Sequence, residues 1–354
     1  MADLARTAAE MVAPGKGVLA ADESIATMSA RLEKAGVAPT EEHRRAYREL
    51  LVTTPGLARG VSGVILCDET FRQCVSDGRS FPDAMARLGL LPGIKVDTGA
   101  RPLAGAPGET VTEGLDGLRE RLAEYAALGA RFAKWRAVIS IGPETRYGTG
   151  TETDTGAGAG LPSRWKVRAD AHALARYAAL CQEAGIVPIV EPEVLMEGSH
   201  GTARCAAVTS EVLDEVFAEL ASAGVELDGV VLKPNMVVPG RESSETVTPD
   251  EVARATVTVL RAAVDERVAG IAFLSGGQRA ARATANLAAM RRFETPWPLT
   301  FSFGRGLVDP ALTAWRGDPA RVADGQRALA HRVACNTAAL TGTYTDALET
   351  AHAA

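Results

Sequence analysis

Short apolar runs recur along the chain, and each is followed by a polar or charged residue. Most are separated by longer, helix-like segments rich in Ala, Arg, Glu and Leu. A strand followed by a helix, repeated in this way, is typical of parallel strands joined by crossover helices. The eight runs are GVLAADE (17–23), GVILCDE (63–69), GIKVD (93–97), RFAKWRAVI (131–139), IVPIVEPEVL (186–195), DGVVLKPNM (228–236), AGIAFLSGG (269–277) and PLTFSFGRG (298–306).

Eight strand–helix units in a chain of 354 residues predict an α/β fold, a (β/α)8 TIM barrel. A doubly wound open sheet is the structural alternative. The segment ADAHALARYAALCQEAG (169–185) is one of the predicted helices, because it ends at a glycine that can cap a helix C-terminus. No Pro- or Ser-rich linker divides the chain, so we expect a single barrel domain over 1–354.

A Gly- and Thr-rich insertion at about 146–162 interrupts this rhythm. Within GTGTETDTGAGAG (148–160), five of the thirteen residues are Gly and four are Thr. A loop of this length without its own pattern is uncommon in a compact domain. A surface insertion is the simpler interpretation. A lid or specificity loop is the functional one, because the segment follows a barrel strand and would emerge on the active face.

Composition and charge narrow the class of protein. Hydrophobic residues make up 46% and charged residues 23% of the chain, with a net charge of −6. We therefore expect a cytoplasmic globular protein with no nucleic-acid or membrane partner. No apolar run is long enough for a signal peptide or a membrane span. The five cysteines and five histidines form no CxxC, HxH or HExxH pattern, so we expect no metal site. We also expect no cofactor.

The polar residues that end the apolar runs are the candidate functional residues. In a barrel the C-terminal ends of all strands lie on one face, so these side chains should converge there. Each alone has a simple structural explanation, for example a lysine that reaches water. Together they would place many charges at one barrel mouth, and buried charges need partners. The set comprises Asp22, Glu23, Lys95, Asp97, Lys134, Arg136, Glu191, Glu193, Lys233, Ser275, Gly276, Gly277, Ser302 and Arg305.

Lys233 is the most unusual of these residues, because it ends a strongly apolar strand. An amine is a nucleophile only when neutral, whereas the ordinary pKa of a lysine is about 10.4. Burial and a neighbouring cation both lower the pKa of an amine, and the barrel would place Lys134 near this strand end. A neutral lysine can attack a ketone to form a Schiff base, whose iminium accepts electrons from a breaking carbon–carbon bond. Glu191 could then take the proton of the reacting hydroxyl.

Two glycine motifs on neighbouring strands suit a phosphate. Ser275-Gly276-Gly277 ends the seventh run, and Gly304-Arg305 lies near the end of the eighth. In many barrels the loops after these two strands bind phosphate through backbone N–H groups. Arg305 could add charge-assisted hydrogen bonds. Each motif alone is weak evidence.

In this order, the motifs resemble those of the class I fructose-bisphosphate aldolases, the metal-independent, Schiff-base type. The resemblance runs from about residue 15 to about residue 345. It implies reversible cleavage of fructose 1,6-bisphosphate to dihydroxyacetone phosphate and glyceraldehyde 3-phosphate, in glycolysis or gluconeogenesis, by a homotetramer. The motifs are GKGVLAADES, GVILCDET, GIKVDTG, FAKWR, IVPIVEPEVL, LKPNM, FLSGGQ and TFSFGRG.

The resemblance also implies residue roles. Lys233 corresponds to the Schiff-base lysine, Glu191 to the general acid/base, and Glu193 to a residue that helps set its charge state. Asp22 corresponds to an aspartate that contacts the C4 hydroxyl, and Lys134 to a lysine needed for the imine. The C1 phosphate region corresponds to Ser275, Gly276, Gly304 and Arg305, and the C6 phosphate region, less tightly, to Ser24, Thr27, Arg31 and Lys95. Gly277, Ser302 and Arg136 complete the predicted substrate-binding residues.

The chain differs from the family pattern in three places. Typical members carry a longer C-terminal tail that ends in a tyrosine, so we expect slower protonation of the enamine here. The segment 148–160 is longer than the usual connection, and we expect it to tune aldehyde preference. Thr27 replaces a commoner serine. Two other functions remain open: a Schiff-base aldolase for another ketose phosphate or aldehyde, and a non-catalytic phosphosugar-binding or scaffold protein.

Overall fold

The computed structural model describes residues 2–142 and 160–350. Ten strands occur in these residues: β1 (Gly17–Ala21), β2 (Val61–Leu66), β3 (Leu91–Lys95), β4 (Gly99–Pro102), β5 (Thr110–Glu113), β6 (Phe132–Ile139), β7 (Val187–Val194), β8 (Val231–Leu232), β9 (Gly270–Phe273) and β10 (Leu299–Phe301). Eight of them form one parallel sheet in the order β1-β2-β3-β6-β7-β8-β9-β10. Each of the eight predicted runs overlaps one strand of this sheet, and β2 and β3 begin two residues before their runs.

Helices follow the strands and surround the sheet. The predicted helix at 169–185 begins earlier, at Arg164, because Ser163 caps it by accepting a hydrogen bond from the Lys166 N–H at 3.1 Å. The α-helices are α1 (Ala2–Met11), α2 (Ile25–Lys34), α3 (Glu41–Val52), α4 (Asp68–Phe71), α5 (Phe81–Arg87), α6 (Leu118–Ala127), α7 (Arg164–Glu183), α8 (Thr202–Ser222), α9 (Pro249–Ala263), α10 (Ala280–Met290), α11 (Arg305–Trp315), α12 (Val322–Thr341) and α13 (Ala347–Thr350). None of these described helices has the length and hydrophobicity needed to cross a membrane.

The sheet closes into a barrel. The backbone N–H of Ala20, in β1, donates to the carbonyl of Phe303, just after β10, at 3.0 Å. This bond joins the first and last strands, so the fold is the predicted (β/α)8 barrel rather than an open sheet. β8 has only two residues in regular strand geometry, because Pro234 has no N–H to continue the ladder. The Lys233 N–H still donates to the Val190 carbonyl at 2.8 Å.

Two hydrophobic clusters follow from the alternation of side chains along the strands. One lies between the sheet and the helices and includes Leu19, Trp135 and Leu232. The other fills the interior of the barrel at the N-terminal ends of the strands. There α1 closes the bottom of the barrel, with Leu4, Ala8 and Met11 packed against strand residues. Those strand residues are Val18, Ala20, Ile65, Phe132, Val187, Ile189, Val231 and Ala272.

One element was not predicted from the sequence. β4 and β5 form an antiparallel hairpin between β3 and α6, separate from the barrel sheet. Its sequence is rich in Gly and Pro, and only the short alternation in Thr110–Glu113 indicates a strand. Of the predicted insertion at 146–162, all but residues 160–162 lie outside the described part of the chain.

Candidate active site

The alternation that fills the lower barrel also builds a charged layer at its upper end. Side chains two residues apart on a strand share a face, so an inward apolar residue is followed by an inward polar one. On β6, Phe132 is followed by Lys134, and on β8, Val231 is followed by Lys233. The same step leads from Ala20 to Asp22 after β1 and from Ile189 to Glu191 on β7.

These four side chains form a continuous chain of ion pairs. Lys233 Nζ lies 3.0 Å from Glu191 Oε1. Lys134 Nζ lies 3.1 Å from Glu191 Oε2 and 2.7 Å from Asp22 Oδ2. Lys134 and Lys233 are each only 3% exposed and Glu191 is 4% exposed. The sequence suggested two neighbouring lysines, and the structure adds that Glu191 lies between them.

The charges of the cluster stabilise one another. Burial would raise the pKa of Asp22, but the ammonium groups of Lys134 and Lys233 outweigh it and lower this pKa to about 2. Glu191 behaves alike, since burial is outweighed by the same two lysines and its pKa is lowered. Burial would lower the pKa of Lys134, but Asp22 and Glu191 raise it above its ordinary value. Both carboxylates are therefore ionised at neutral pH.

A second layer of pairs surrounds this cluster. Arg136 Nε donates to Glu193 Oε2 across β6 and β7. Lys95 Nζ contacts the Asp97 carboxylate and also donates to the Asp97 carbonyl at 2.8 Å. The second Asp97 oxygen accepts from the Arg136 N–H at 3.3 Å. Three predicted residues therefore already have charged partners: Arg136 and Glu193 pair with each other across two strands, and Lys95 pairs with Asp97 two residues further along the chain.

The residues that follow β1 are held by arginines. Arg48 is buried and donates to the carbonyls of Ala21 at 3.3 Å and Glu23 at 3.0 Å. These bonds fix the backbone on both sides of Asp22. Arg31, on α2, contacts the carboxylates of Glu23 and Asp309. The role of Arg48 could not be predicted from the sequence, because its partners are backbone carbonyls that only the fold brings near.

Ser24 and Thr27 lie at the beginning of α2, next to the end of β1. Ser24 is the N-cap of this helix and accepts from the Thr27 N–H at 3.2 Å. Its hydroxyl lies 3.0 Å from the Thr27 hydroxyl. Both side chains are exposed, so they present a pair of hydroxyl groups and helix N–H groups to solvent.

The two glycine motifs are neighbours at the ends of β9 and β10. Gly276 and Gly277 have φ of +55° and +81°, a left-handed conformation that favours glycine. Gly304 caps α11, whose first residue is Arg305. Ser302 is 1% exposed, and its hydroxyl has no hydrogen-bond partner among the described residues. A buried unpaired hydroxyl at this position is suited to a bound polar ligand.

Asn235 supports the site and was missed from the sequence. It is 4% exposed, and its side-chain oxygen accepts from the Val194 N–H at 3.1 Å. Its amide donates to the Thr209 hydroxyl at 3.1 Å and the Met236 carbonyl at 3.2 Å. These bonds join the segment after Lys233 to the end of β7, in place of the ladder that β8 lacks.

Other features of the described residues fit a metal or substrate site less well. Over residues 2–142 and 160–350, no group of three or more His, Cys, Asp or Glu side chains is arranged to hold a metal ion. A cavity of about 920 Å³ lies between the β4–β5 hairpin and α7. None of the ion-paired cluster lines it, so the barrel mouth remains the better candidate for chemistry.

Comparison with known proteins places this arrangement in a family. Residues 3–354 match the family described as fructose-bisphosphate aldolase class-I. The chain belongs to the class I fructose-bisphosphate aldolase family. A protein of Xylella fastidiosa named probable fructose-bisphosphate aldolase class 1 is 52% identical over 316 residues, 89% of this chain and 90% of that protein. The cytosolic fructose-bisphosphate aldolase 6 of Arabidopsis thaliana is 47% identical over 344 residues, 97% of this chain and 91% of that protein.

A solved structure agrees with this assignment. The fructose-bisphosphate aldolase of Plasmodium falciparum, crystallised with TRAP and a small-molecule inhibitor, is 40% identical with a TM-score of 0.90. The alignment covers 97% of this chain and 95% of that one. The family, the barrel fold and the lyase class predicted from the sequence are therefore confirmed. The roles of individual residues of this aldolase stay predictions.

Proposed function

We propose that this aldolase cleaves fructose 1,6-bisphosphate reversibly to dihydroxyacetone phosphate and glyceraldehyde 3-phosphate through a Schiff base on Lys233. The observation that carries the proposal is the buried chain from Lys233 through Glu191 and Lys134 to Asp22. It provides an amine, an acceptor for its proton and a second carboxylate within one cluster. No metal is needed, because the iminium itself accepts the electrons of the breaking bond.

The chemistry balances without an added reactant. The Lys233 amine attacks C2 of the ketose, and the C2 oxygen leaves as water to give the iminium. Glu191 then takes the proton of the C4 hydroxyl, the C3–C4 bond breaks, and the electron pair of that bond moves toward the iminium. The aldehyde departs and an enamine remains. Protonation at C3 and hydrolysis then release dihydroxyacetone phosphate and restore the amine.

Glu191 is the proposed proton carrier for the steps at C2 and for the C4 hydroxyl. Its Oε1 is within hydrogen-bond distance of Lys233 Nζ, so it can accept the proton that the amine must lose before attack. Lys134 contacts the other oxygen of Glu191 and holds the developing charge. Asp22 is the proposed contact for the C4 hydroxyl, and Glu193 sets the charge environment through Arg136.

The two phosphates are proposed to bind at two separate groups of residues around the mouth. The C1 phosphate would take the backbone N–H groups and side chains of the two glycine motifs, with the unpaired Ser302 hydroxyl beside them. The C6 phosphate would lie at the start of α2, where it competes with carboxylates already paired to arginine and lysine. The proposed C1 set is Ser275, Gly276, Gly277, Ser302, Gly304 and Arg305, and the C6 set is Ser24, Thr27, Arg31 and Lys95, with Arg136 as a further proposed substrate-binding residue.

The broader proposals follow the family. We propose one domain over 1–354, a homotetramer, a cytoplasmic location and a role in glycolysis or gluconeogenesis. The Arabidopsis relative is named cytosolic, which supports the location. The alternative of another aldehyde substrate depended on the segment 148–160, of which only Gly160 is described, so no structural observation favours it.

Steady-state cleavage tests the proposal. Wild type, Lys233→Met and Arg267→Ala would be assayed with fructose 1,6-bisphosphate in excess EDTA, with the triose products coupled to NADH oxidation. Arg267 is exposed and precedes β9, so it lies at the opposite end of the barrel and is a matched control for loss of a cation. We expect cleavage by wild type and Arg267→Ala and none by Lys233→Met. Inactivity of wild type, or full activity of Lys233→Met, would refute the proposal.

A further inference from the structure

Two arginines approach the glycine turn after β9, although the sequence identified only Arg305. A Cβ atom built on Gly277 would collide with Arg241 Nη2 and would lie 3.4 Å from Arg305 Nη2. Arg241 Nη2 also donates to the Gly277 carbonyl at 3.2 Å. Both guanidinium groups therefore share the space above a single Cα atom. Gly277 leaves that space free, and its φ of +81° also disfavours a side chain.

The backbone holds Arg241 in this place independently of its side chain. The Arg241 N–H donates to the Met196 carbonyl at 2.7 Å, in the loop after β7. The neighbouring N–H groups of Gly240 and Glu242 donate to the same loop, at 2.8 Å and 3.0 Å. A Cβ atom on Gly240 would collide with the Gly198 carbonyl oxygen, so the two loops are in close contact. Arg241 is thus presented by a fixed backbone.

The charges at this turn are unbalanced. Arg31 and Arg136 are each paired with a carboxylate, whereas no carboxylate of the described residues pairs with Arg241 or Arg305. Two cations that share a small space repel each other, and a bound anion relieves that repulsion. A guanidinium has five N–H donors, and in the described residues Arg241 uses one of them on the Gly277 carbonyl. The remaining donors can bind the oxygens of an anion.

We propose that Arg241 is a second phosphate-binding arginine, which together with Arg305 holds the C1 phosphate of the ketose at the Ser275–Gly277 turn. This inference rests on the proposed function, and it names a residue to which the sequence assigned no role. Arg241 contacts the phosphate and not the reacting carbons. It therefore sets the affinity for phosphorylated over unphosphorylated ketones and leaves the chemical step unchanged.

Trapping the imine with two ketones separates binding from chemistry. Wild type, Arg241→Ala, Arg241→Lys and the control Arg267→Ala would be incubated with dihydroxyacetone phosphate or with dihydroxyacetone, reduced with borohydride and quantified by intact mass. Arg241→Ala should raise the half-saturating concentration of dihydroxyacetone phosphate about tenfold, equivalent to about 1.4 kcal/mol. With dihydroxyacetone it should match wild type. For dihydroxyacetone phosphate, the half-saturating concentration of Arg241→Lys should fall between those of wild type and Arg241→Ala, because lysine keeps the charge but loses the forked donors.

Two results would overturn the inference. Equal saturation of Arg241→Ala and Arg267→Ala with dihydroxyacetone phosphate would show that Arg241 does not bind the phosphate. An equal loss with both ketones would assign Arg241 a structural role in the turn.

A titration with inorganic phosphate keeps this inference separate from the proposed function. Calorimetry on wild type and Arg241→Ala measures phosphate binding without any imine. If wild type forms no imine but binds phosphate about tenfold more tightly than Arg241→Ala, the Schiff-base function fails and the phosphate site stands. If the two proteins bind phosphate equally, the assignment of Arg241 fails whatever the trapping shows.

Discussion

Two buried lysines in this aldolase differ in what surrounds them. Lys134 and Lys166 are 3% and 1% exposed, and each contacts a carboxylate. Lys134 lies at the barrel mouth between Asp22 and Glu191, which come from two other strands. Lys166 pairs with Asp170 one turn along the same helix, α7. The first arrangement needs the whole barrel, whereas the second needs only one helix.

The carboxylates at the two places respond in opposite directions. Burial raises the pKa of both Asp22 and Asp170. At Asp22 the two lysines of the cluster outweigh burial, and the pKa is lowered to about 2. At Asp170 burial outweighs Lys166, and the pKa is raised to about 6. In the cluster at the barrel mouth, several opposite charges therefore keep the carboxylate of Asp22 ionised at neutral pH. In the pair on α7, the attraction of Lys166 does not fully offset the free-energy cost of removing the Asp170 carboxylate from water.

The largest difference expected between substitutions of the two lysines is in catalysis. Lys134→Met should lower kcat for fructose 1,6-bisphosphate by a factor on the order of 10² to 10⁴, because it removes a charge that holds Glu191 and Asp22 ready for proton transfer. Lys166→Met should keep the kcat of wild type per folded molecule. Initial rates normalised to folded protein by circular dichroism check this. A kcat of Lys134→Met within a few-fold of wild type would contradict a catalytic role for Lys134.

Substitution of Lys166, rather than of Lys134, should have its main effect on the free energy of unfolding. Lys166→Met should lower the free energy of unfolding at pH 8 by about 3–5 kcal/mol, because it leaves the buried Asp170 carboxylate without its partner. The loss should shrink at pH 5, where Asp170 can bind a proton. Urea unfolding measures both values. The double variant Lys166→Met/Asp170→Leu should recover most of the loss, and equal instability of single and double variants would show that the ion pair is not the cause.

The pH dependence of stability follows from the raised pKa of Asp170. This pKa is 3.8 in an unperturbed carboxyl and about 6 in the fold, so the folded protein holds more protons between these values. Rising pH across this interval therefore lowers the free energy of unfolding, by up to about 3 kcal/mol. The Asp170→Asn variant should lack this contribution, so its stability relative to wild type should increase from pH 4 to pH 6 and then level off. A constant difference over that range would contradict the assignment.

The smallest effect concerns the support of the site. Asn235→Ala should lower the free energy of unfolding by about 1–3 kcal/mol, because the buried Val194 N–H loses its acceptor. It should also lower kcat, since β7 carries Glu191. The control Thr209→Val removes only a partner of the Asn235 amide and should cost about 1 kcal/mol with unchanged kcat. Equal effects of both variants on kcat would contradict a role of Asn235 in placing β7.

The barrel could be predicted because each strand is a local apolar run with a polar end. Period-two alternation then decides which polar residues face inward, as on β6, where Phe132 and Lys134 share a face. The hairpin β4–β5 was missed because glycine and proline dominate it. The support given by Asn235 and Arg48 was missed because their partners are backbone groups distant in sequence, and no local pattern marks such contacts.

The ion pairs within the site could likewise not be predicted from the sequence. Lys134 and Lys233 were expected near each other, but the position of Glu191 between them depends on the register of neighbouring strands. Arg241 carried no signal, because it lies beyond the LKPNM motif in a loop whose course is set by contacts with another loop.

The most direct test of the central claim is to trap the covalent intermediate. The protein is incubated with fructose 1,6-bisphosphate in EDTA, reduced with borohydride and digested, and the modified peptide is identified by mass spectrometry. The account predicts one adduct, on Lys233, that is lost in Lys233→Met and retained in Lys166→Met. An adduct on a different lysine, or none with any ketose phosphate, would contradict it.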